Sequence, residues 1–379
     1  MIGPVVRLLY RLPRSVSEKC TPDHGGDVWD ASSRLRIPVS NILDFSASVN
    51  PLGTSPFAAK AIRSWIRFLD FYPDKDCSSL KHAISSYIGG VASENVLVGN
   101  GSTEIIHLFS QVFLGPGDEA VILRPTFSEY EYAVLRSRAI PVGSWMGEGF
   151  KLDAEALLEC VTPRTRAIFL CNPNNPTSTM LNKSGLEKIV EEAAERKIMV
   201  LLDECFIEFV DDPEHLSLSR YSTDQENLVV LRSLTKVFGL AGLRVGYALG
   251  AEKTIALLDK FKVTWSVNTL AQVAGVAALK DTEYLDATKH LVRKERAYLS
   301  EALPRAGVFT TPPQANFLLG ELRGRITAPE LKRRLLRHRI LVRDCSRFRG
   351  LGSHFVRFAV RTRRDNLTLL RALKEVLHN

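Results

Sequence analysis

The stretch RSLTKVFGLAGLRVG, residues 232–246, decides how the rest of the chain is interpreted. It overlaps the end of the apolar run NLVVLRSL and places Lys236 three residues after Ser233 and eight residues before Arg244. A solvated lysine in a strand-to-helix loop is the ordinary explanation of this pattern. The alternative is a reactive amine, because a lysine that is buried near other cations has a lowered pKa and becomes a nucleophile. The remaining sequence decides between the two.

Length and composition are those of a soluble globular protein that is large enough for two lobes. The 379 residues are 45% hydrophobic and 24% charged. No apolar run reaches the roughly 20 residues that cross a bilayer. Arginines interrupt the basic segment MIGPVVRLLYRLPRSV (1–16), and it has no small-residue cleavage site, so it does not have the pattern of a signal peptide. We expect a cytoplasmic protein in which residues 1–23 form an extension or an arm on the surface.

Cysteine spacing and charge exclude some classes of site. The six cysteines lie far apart, with no CxxC pair and no Cys/His cluster, which predicts reduced thiols and no metal site. The net charge is +8, and the basic excess concentrates in LKRRLLRHRILVR (331–343). We interpret these arginines as the solvated side of an amphipathic helix. A nucleic-acid surface has less support, because no aromatic interleaving or recognised module accompanies them. An anionic small-molecule substrate is a second explanation of the charge.

Residues 95–250 alternate short apolar runs with amphipathic segments. The runs are VLVGN (96–100), EAVILRP (119–125), RAIFLCNP (166–173), KIMVLLDE (197–204), NLVVLRSL (227–234) and VGYALG (245–250). Continuous apolar strands separated by helices predict a mostly parallel sheet that is covered on both faces, with ligands at the carboxyl ends of its strands. We expect a large domain over 51–280, and a small domain over 1–50 and 281–379 that includes the N-terminal arm.

Chemically informative residues follow these runs. After the first run, the small residues Gly101, Ser102 and Thr103 open a helix, which suits either a phosphate at the helix N-terminus or an ordinary tight turn. Phe127 follows the second run, where it either stacks on a planar ring or belongs to the core. Asn175, in the loop CNPNNPTS after the third run, is either a hydrogen-bond donor to a ligand or part of a rigid turn.

The last two strand ends carry a carboxylate and an amine. Asp203 ends the fourth run, where it either caps a helix or pairs with a cation such as a pyridinium nitrogen. Lys236 follows the fifth run, with Ser233 and Arg244 beside it in sequence. Each structural explanation is reasonable by itself. Five such signals at the same edge of one sheet favour the reactive amine.

Together these residues resemble the aspartate-aminotransferase superfamily of pyridoxal-phosphate enzymes, fold type I. The resemblance covers nearly the whole chain. It rests on S-x-x-K with an arginine eight residues after the lysine, on the N-P-x-N-P-T loop, and on the D-E pair at a strand end. It implies an α/β fold of the aspartate-aminotransferase type, with a mostly parallel seven-stranded sheet in the large domain and a smaller α+β domain.

The resemblance implies pyridoxal 5'-phosphate as cofactor and assigns residues to it. Lys236 would bind it covalently, Asp203 would pair with the ring nitrogen, and Asn175 would bond the ring hydroxyl. Phe127 would stack on the ring. The residues implied for the cofactor phosphate are Gly101, Ser102, Thr103, Ser233 and Arg244. Tyr72 matches a tyrosine that reaches the phosphate of the neighbouring subunit, which implies a homodimer with shared active sites.

Two groups within the superfamily compete, and both act on phosphorylated amines. The segments that resemble threonine-phosphate decarboxylases are HGGDVW (24–29), LDFSASVNPLG (43–53), PTFSEYEYA (125–133), ILVRDCS (340–346) and VRFAVRT (356–362). Phe206 also lies where histidinol-phosphate aminotransferases usually carry a tyrosine. The resemblance therefore implies decarboxylation of L-threonine O-3-phosphate to (R)-1-aminopropan-2-yl phosphate, the precursor of the aminopropanol linker of cobalamin. The residues implied for the substrate are His24, Asn50, Asn175, Arg343 and Arg357.

Histidinol-phosphate aminotransferase is the alternative within the superfamily. Two rivals come from other classes: a nicotinamide dehydrogenase and a non-catalytic binding protein. The dehydrogenase is weak, because VGNGSTE lacks the third glycine and no acidic residue follows at the expected strand end. A binding protein would not need Lys236 and Asp203 to face one ring. One departure from the superfamily pattern concerns Ser178, which replaces the usual glycine in the turn that aims Asn175.

Overall fold

The computed structural model of the protein describes residues 24–324 and 326–378. The predicted N-terminal arm, residues 1–23, lies outside the described residues. The helices are α1 Val28–Leu35, α2 Pro56–Trp65, α3 Ser78–Ile88, α4 Ser102–Phe113, α5 Ser128–Arg136, α6 Ala154–Leu158, α7 Lys183–Glu195, α8 Pro213–Leu216, α9 Leu234–Val237, α10 Glu252–Phe261, α11 Thr269–Ala278, α12 Thr282–Arg305, α13 Ala328–Arg337 and α14 Arg363–His378. The strands are β1 Leu43–Asp44, β2 Val96–Gly99, β3 Glu119–Arg124, β4 Ile140–Trp145, β5 Thr165–Cys171, β6 Met199–Asp203, β7 Leu228–Ser233, β8 Gly246–Leu249, β9 Val308–Thr310, β10 Phe317–Leu322, β11 Ile340–Leu341, β12 Arg343–Asp344 and β13 Phe355–Ala359.

A seven-stranded sheet organises the chain from β2 to β8. Its strand order is β2-β8-β7-β6-β5-β3-β4. β8 runs antiparallel to both of its neighbours, and the remaining strand pairs are parallel. The predicted seven-stranded, mostly parallel sheet of an α/β fold is therefore confirmed. Every apolar run identified in the sequence became a strand of this sheet.

The strand that sequence patterning does not identify is β4. It lies at the edge of the sheet, only one of its residues is fully buried, and it contains Pro141 and Gly143. An edge strand needs no continuous apolar run, and proline is tolerated there because one side of the strand forms no ladder. β4 thus lacks the signal that marks the central strands.

Burial on both faces explains the composition of the central strands. All residues of β2, β3, β7 and β8 are buried, and β5 and β6 have one partly or fully exposed residue each. Helices cover both faces, as expected for parallel strands joined by helical crossovers. Each fully buried aliphatic side chain contributes about 1.5–3 kcal/mol to stability, so the sheet provides a rigid edge on which loops hold their positions.

A second, smaller sheet lies in the C-terminal part of the chain. Its four strands are antiparallel in the order β12-β13-β10-β9. The N-terminal segment reaches the same region, because β1 pairs in parallel with β11. This arrangement suits the expected α+β lobe, and the domain boundaries remain a prediction. No helix within the described ranges is long and apolar enough to cross a membrane.

Candidate active site

Lys236 lies in α9, the short helical turn that follows β7. The turn begins at Ser233, whose hydroxyl accepts a hydrogen bond from the Thr235 amide at 3.3 Å, as an N-cap residue does. The amide of Asn50 donates to the Lys236 carbonyl at 3.0 Å and fixes the turn from the N-terminal segment. Burial lowers the pKa of Lys236, and the guanidinium groups of Arg357 and Arg244 act in the same direction. The amine is therefore a better nucleophile than a surface lysine.

Asp203 ends β6, next to β7, and is only 4% exposed. Its carboxylate accepts hydrogen bonds from the Tyr130 hydroxyl at 2.7 Å and from the Cys205 amide at 2.9 Å. Burial raises the pKa of Asp203, whereas these hydrogen bonds and the charge of Lys236 oppose the rise. A carboxylate in this position gains stability from a cationic partner. A protonated ring nitrogen is such a partner.

The N-terminus of α4 forms a cradle for an anion. Gly101, which precedes α4, has a φ of 78°, and a Cβ atom there would lie 2.5 Å from Nη2 of Arg244. A Cβ atom on Gly246 would lie 2.7 Å from the amide nitrogen of Ser102. Glycine is favoured at Gly101 by its positive φ, and Gly246 is required because the backbone of Ser102 approaches so closely. Exposed amides at a helix N-terminus together with an arginine are suited to a phosphate.

A third group of residues borders the space between Lys236 and the small sheet. Phe127 caps α5 and packs edge-on against Tyr130, with ring centroids 5.6 Å apart. Asn175 follows β5, and its side-chain oxygen accepts a hydrogen bond from Arg357. The neighbouring Asn174 fixes this loop. Its side-chain oxygen accepts a hydrogen bond from the Thr126 hydroxyl at 2.7 Å, and its side-chain nitrogen donates to the Pro125 carbonyl at 2.9 Å. The loop is therefore held to the segment that carries Phe127.

These residues surround one cleft with a volume of about 330 Å³. Its lining consists of His24, Gly25, Ser46, Ala47, Ser48, Thr103, Phe127, Asn175, Phe206, Lys236, Arg244, Arg343, Phe348 and Arg357. The cleft thus brings together eight of the residues predicted from the sequence, namely His24, Thr103, Phe127, Asn175, Lys236, Arg244, Arg343 and Arg357. Asp203, Gly101, Ser102 and Ser233 lie at the strand and helix ends that border it.

Arg357 and Arg343, from the C-terminal part of the chain, contribute buried positive charge to the lining of the cleft. Arg357 is 6% exposed and donates to the Ser46 carbonyl at 2.7 Å, while its Nε has no partner in the described chain. Burial lowers the pKa of Arg357 to about 10. Arg343 is 4% exposed, and its guanidinium carbon lies 5.2 Å from the centre of the Phe348 ring. A buried arginine with an unpaired donor is suited to an anionic ligand.

Comparison with known sequences decides the family. The family model named "Aminotransferase class I and II" matches residues 40–373. The chain belongs to this aminotransferase family. Pyridoxal phosphate is its cofactor. The site fits it, because a buried lysine, a buried carboxylate and an anion cradle lie at one edge of the sheet, and Lys236, Asp203 and the segment at Gly101 would hold it. When bound, the cofactor supplies an electron sink for bonds at the amine-bearing carbon.

Relatives of this family member divide between two activities. The chain is 36% identical to the histidinol-phosphate aminotransferase of Moorella thermoacetica, covering 89% of this chain and 86% of the relative. It is also 36% identical to the threonine-phosphate decarboxylase of Salmonella typhimurium, covering 93% of this chain and 96% of the relative. Among solved structures, the histidinol-phosphate aminotransferase of Clostridium acetobutylicum superposes with a TM-score of 0.82, at 31% identity, over 89% of this chain and all of that one. These similarities show that the chain is an enzyme of the PLP-dependent aminotransferase family.

Asn50 holds the turn that carries Lys236. Its side-chain nitrogen donates to the Val237 carbonyl at 2.5 Å and to the Thr288 hydroxyl at 2.7 Å, and its side-chain oxygen accepts from the Leu52 amide at 2.8 Å. It is not among the residues that line the cleft. The contact of Asn50 with substrate stays a prediction.

Tyr72 also lies outside the cleft lining. It is 79% exposed and stacks on Trp265, with ring centroids 4.6 Å apart. A tyrosine that served the site of its own chain would line the cleft. Its role toward a neighbouring subunit in this aminotransferase remains a prediction.

Sequence reasoning missed a pair of residues at the edge of the cleft. Glu129 bonds His24 at 2.7 Å and His107 at 3.0 Å. His107 lies inside the α4 pattern, where one polar residue on a helix face carries no signal by itself. Glu129 offered a better signal, because it stands two residues after Phe127 at a strand-to-helix junction. Tyr130, whose hydroxyl donates to Asp203, was also missed, because a single residue within a helix pattern carries no signal by itself.

Proposed function

We propose that this aminotransferase-family enzyme decarboxylates L-threonine O-3-phosphate, giving (R)-1-aminopropan-2-yl phosphate and carbon dioxide. The observation that carries the proposal is the placement of His24, Arg343 and Arg357 around the cleft that holds Lys236. Arg244 lies against Gly101 at the anion cradle and is assigned to the cofactor phosphate. The other three cationic or protonatable groups remain for the substrate. A substrate with both a phosphate and a carboxylate uses all of them.

Orientation of the substrate decides which bond breaks. Arginine binds carboxylates and phosphates through two parallel hydrogen bonds, so it fixes the direction of the group as well as its position. If the phosphate and carboxylate were both held, the bond to the carboxylate would be the one set up for cleavage, and the cofactor would supply the electron sink as carbon dioxide leaves. Lys236 then returns a proton to the carbon that lost carbon dioxide.

Phe206 supports the same assignment. Its ring lies in the cleft, with the Lys236 nitrogen 5.7 Å from the ring centre. Phenylalanine offers no hydroxyl group to the cofactor, whereas the resemblance expects a tyrosine here in histidinol-phosphate aminotransferases. The second candidate function is nevertheless amino transfer from histidinol phosphate to 2-oxoglutarate, which the similarity to the Moorella thermoacetica enzyme favours.

We further propose a homodimer with shared active sites. Exposed aromatic side chains near Tyr72 support it, because Phe71 is 66% exposed and Trp265 is 48% exposed. Soluble surfaces rarely expose such groups together unless they meet a partner. The proposed two-domain division accompanies this assembly. It is supported by a cleft whose lining comes from the N-terminal segment, the large sheet and the C-terminal sheet.

The deciding experiment supplies L-threonine O-3-phosphate to the cofactor-loaded enzyme without any keto acid. Release of carbon dioxide together with aminopropanol phosphate is the expected result. Arg357→Lys, which keeps the charge and loses the planar fork, should reduce kcat/KM by more than about tenfold. If no carbon dioxide appears and the enzyme instead transfers the amine of histidinol phosphate to 2-oxoglutarate, the second function is correct.

A further inference from the structure

A buried carboxylate at the cleft edge bridges two histidines. Glu129, in α5, is 5% exposed. One of its oxygens lies 2.7 Å from Nε2 of His24 and the other lies 3.0 Å from Nε2 of His107, which belongs to α4. His24 lines the cleft and is 45% exposed, whereas the side chain of His107 is 25% exposed. Glu129 is therefore the most buried of the three and lies between the two histidines.

The carboxylate remains ionised in this environment. Burial would raise the pKa of Glu129, but the hydrogen bonds from His107 and His24 outweigh burial and lower the pKa to about 2. An ionised carboxylate only accepts hydrogen bonds, so the ring nitrogen facing each of its oxygens carries a proton. Nε2 of His24 is thus occupied by Glu129. Its Nδ1 has no hydrogen-bond partner in the part of the chain that the structure describes.

Several cations line the same cleft as His24. The cations that line the cleft with His24 are Lys236, Arg244, Arg343 and Arg357. Phe127 lies beside the His24 ring, with centroids 5.5 Å apart, and Tyr132 meets the His107 ring edge-on at 5.8 Å. Glu129 is therefore an anion at the edge of a cationic cleft. An anion there opposes the binding of an anionic substrate unless it serves to hold a donor in place.

A purely structural role is the simpler explanation. Glu129 ties α4, α5 and the N-terminal segment together, and a neutral amide would perform that task nearly as well. A carboxylate does something that an amide does not, because both of its oxygens accept hydrogen bonds and so fix Nε2 of both histidines as donors. An orientation with Nε2 on Glu129 leaves Nδ1 for a ligand in the cleft.

We propose that Glu129 and His107 are positioning residues that hold the His24 ring toward the phosphate of the substrate. His107 shares the carboxylate and fixes its direction, and Glu129 fixes the orientation of the His24 ring. The inference rests on the proposed function only in requiring a phosphorylated amine in the cleft. It assigns selectivity for the phosphate to residues that touch neither the cofactor nor the reacting carbon.

The test compares phosphorylated and unphosphorylated ligands on the cofactor-loaded enzyme. Glu129→Gln keeps the size of the side chain and removes its charge. We expect the KM for L-threonine O-3-phosphate to rise about five- to tenfold, because a charge-assisted hydrogen bond is weakened, while kcat changes less than about twofold. The inhibition constant of inorganic phosphate should rise by the same factor. The affinity for L-threonine, which has no phosphate, should not change.

Four further variants separate positioning from folding. His24→Gln alters a half-exposed residue and should give the same phosphate-selective loss. The double variant with Glu129→Gln and His24→Gln should lose little more affinity for the phosphorylated ligand than either single variant, because both changes remove the same interaction. His107→Gln should give a smaller loss of the same kind. Glu330→Gln is the matched control, since hydrogen bonds from Arg333 and Arg334 also lower the pKa of Glu330 to about 2, but this residue lies on α13 outside the cleft lining.

Two outcomes overturn the inference. One is an equal loss of affinity for L-threonine and for its phosphate in Glu129→Gln, which indicates a general structural role. The other is an unchanged inhibition constant for inorganic phosphate. Failure of the proposed function is distinguishable, because the wild-type enzyme would then release no carbon dioxide. The same comparison is in that case made with histidinol phosphate, histidinol and inorganic phosphate.

Discussion

Ser178 illustrates how one residue adapts a family turn. It has a φ of 61°, a region where glycine is the usual residue. Its hydroxyl accepts hydrogen bonds from the Gln314 amide at 3.0 Å and the Ala315 amide at 2.8 Å. Its own amide donates to the Asn174 carbonyl at 2.7 Å and closes the turn. The serine thus keeps Asn175 in the cleft and offsets its backbone strain with bonds to the segment before β10.

Substitution at Ser178 separates the two effects. Ser178→Ala keeps the strained conformation and removes the hydroxyl, so we expect the free energy of unfolding to fall by about 1–2 kcal/mol. Ser178→Gly removes the hydroxyl and also the strain, so it should lie within about 1 kcal/mol of the wild type. Urea denaturation of the two variants measures the difference. An alanine variant as stable as the glycine variant would contradict the explanation.

The lowered pKa of Lys236 predicts selective chemistry in the cofactor-free protein. A lysine with a lowered pKa keeps a neutral amine down to lower pH, whereas a hydrogen bond to Glu226 raises the pKa of Lys253. Reductive methylation with formaldehyde at a series of pH values, read by peptide mass spectrometry, compares the two in one molecule. The ratio of labelling at Lys236 to labelling at Lys253 should increase as the pH falls from about 9.5 to about 6.5. Over this range the neutral fraction of the amine with the higher pKa falls more steeply. A constant ratio would show that Lys236 titrates like a surface lysine.

Elements explain which parts of the site could be predicted from sequence. Asn175, Asp203 and Lys236 follow three adjacent parallel strands, β5, β6 and β7, and parallel strands bring their carboxyl ends to one edge. Those placements follow from the order of apolar runs. The bridge from Glu129 to His107 does not, because it depends on how α5 turns against α4. The position of Asn50 depends in the same way on a contact between distant segments.

A buried ion cluster links β7 to the loop after β6. Arg232 is 5% exposed and donates to Glu204 at 3.1 Å, to Glu208 at 2.9 Å, and to the Ser217 and Ser219 hydroxyls at 2.8 Å. Glu204 also accepts hydrogen bonds from the Ser217 hydroxyl at 2.6 Å and the Leu218 amide at 2.9 Å, and Arg232 supplies the positive charge that faces both glutamates. Removing one member of a buried ion cluster leaves the opposite charge without compensation.

Arg232→Met should lower the free energy of unfolding by about 3–5 kcal/mol at neutral pH. Burial raises the pKa of Glu208, and Arg232 opposes this rise. Without Arg232, a carboxyl group with a raised folded-state pKa is most stable when protonated, and its contribution is lost as the pH rises. The loss should therefore be smaller near pH ~5 than near pH ~7.5. Thermal unfolding at both pH values measures it.

Arg323→Met provides the control for this prediction. Arg323 pairs with Glu321 at 2.9 Å, and both side chains are exposed. Exposed pairs contribute little, so we expect no measurable change in stability. An Arg232 variant that behaves like the Arg323 variant would mean that the buried cluster is dispensable.

At the scale of the whole molecule, the proposed shared site predicts complementation. Lys236→Ala and Tyr72→Ala each remove one component, and if the components come from different chains, a mixed dimer contains one intact site. Mixing the two inactive variants under conditions of subunit exchange should restore activity to about a quarter of the wild-type value, because about half of the dimers are mixed. Activity no higher than the mean of the two parents would exclude shared sites.

The whole molecule also sets a limit on sequence reasoning. The order of apolar runs predicted the large sheet, and the position of Lys236 at its edge followed from it. The joining of β1 to β11 was outside the reach of any local pattern, because it unites two-residue strands from opposite parts of the chain. The hydrogen bond from Arg357 to the Ser46 carbonyl could not be predicted from local patterns either, because it joins residues 311 positions apart. Contacts of this kind bring His24 and Arg357 to the same cleft.

That hydrogen bond has a consequence for synthesis. A ribosome adds about 5–20 residues per second, so about 15–60 seconds separate the emergence of Ser46 from that of Arg357. Lys236 is added part-way through this interval, so for the rest of it the nascent chain contains the proposed cofactor lysine but not Arg357. An aldehyde could react with that amine before the arginine exists. The lysine proposed for the cofactor is therefore always made before Arg343 and Arg357, the two arginines proposed for the substrate.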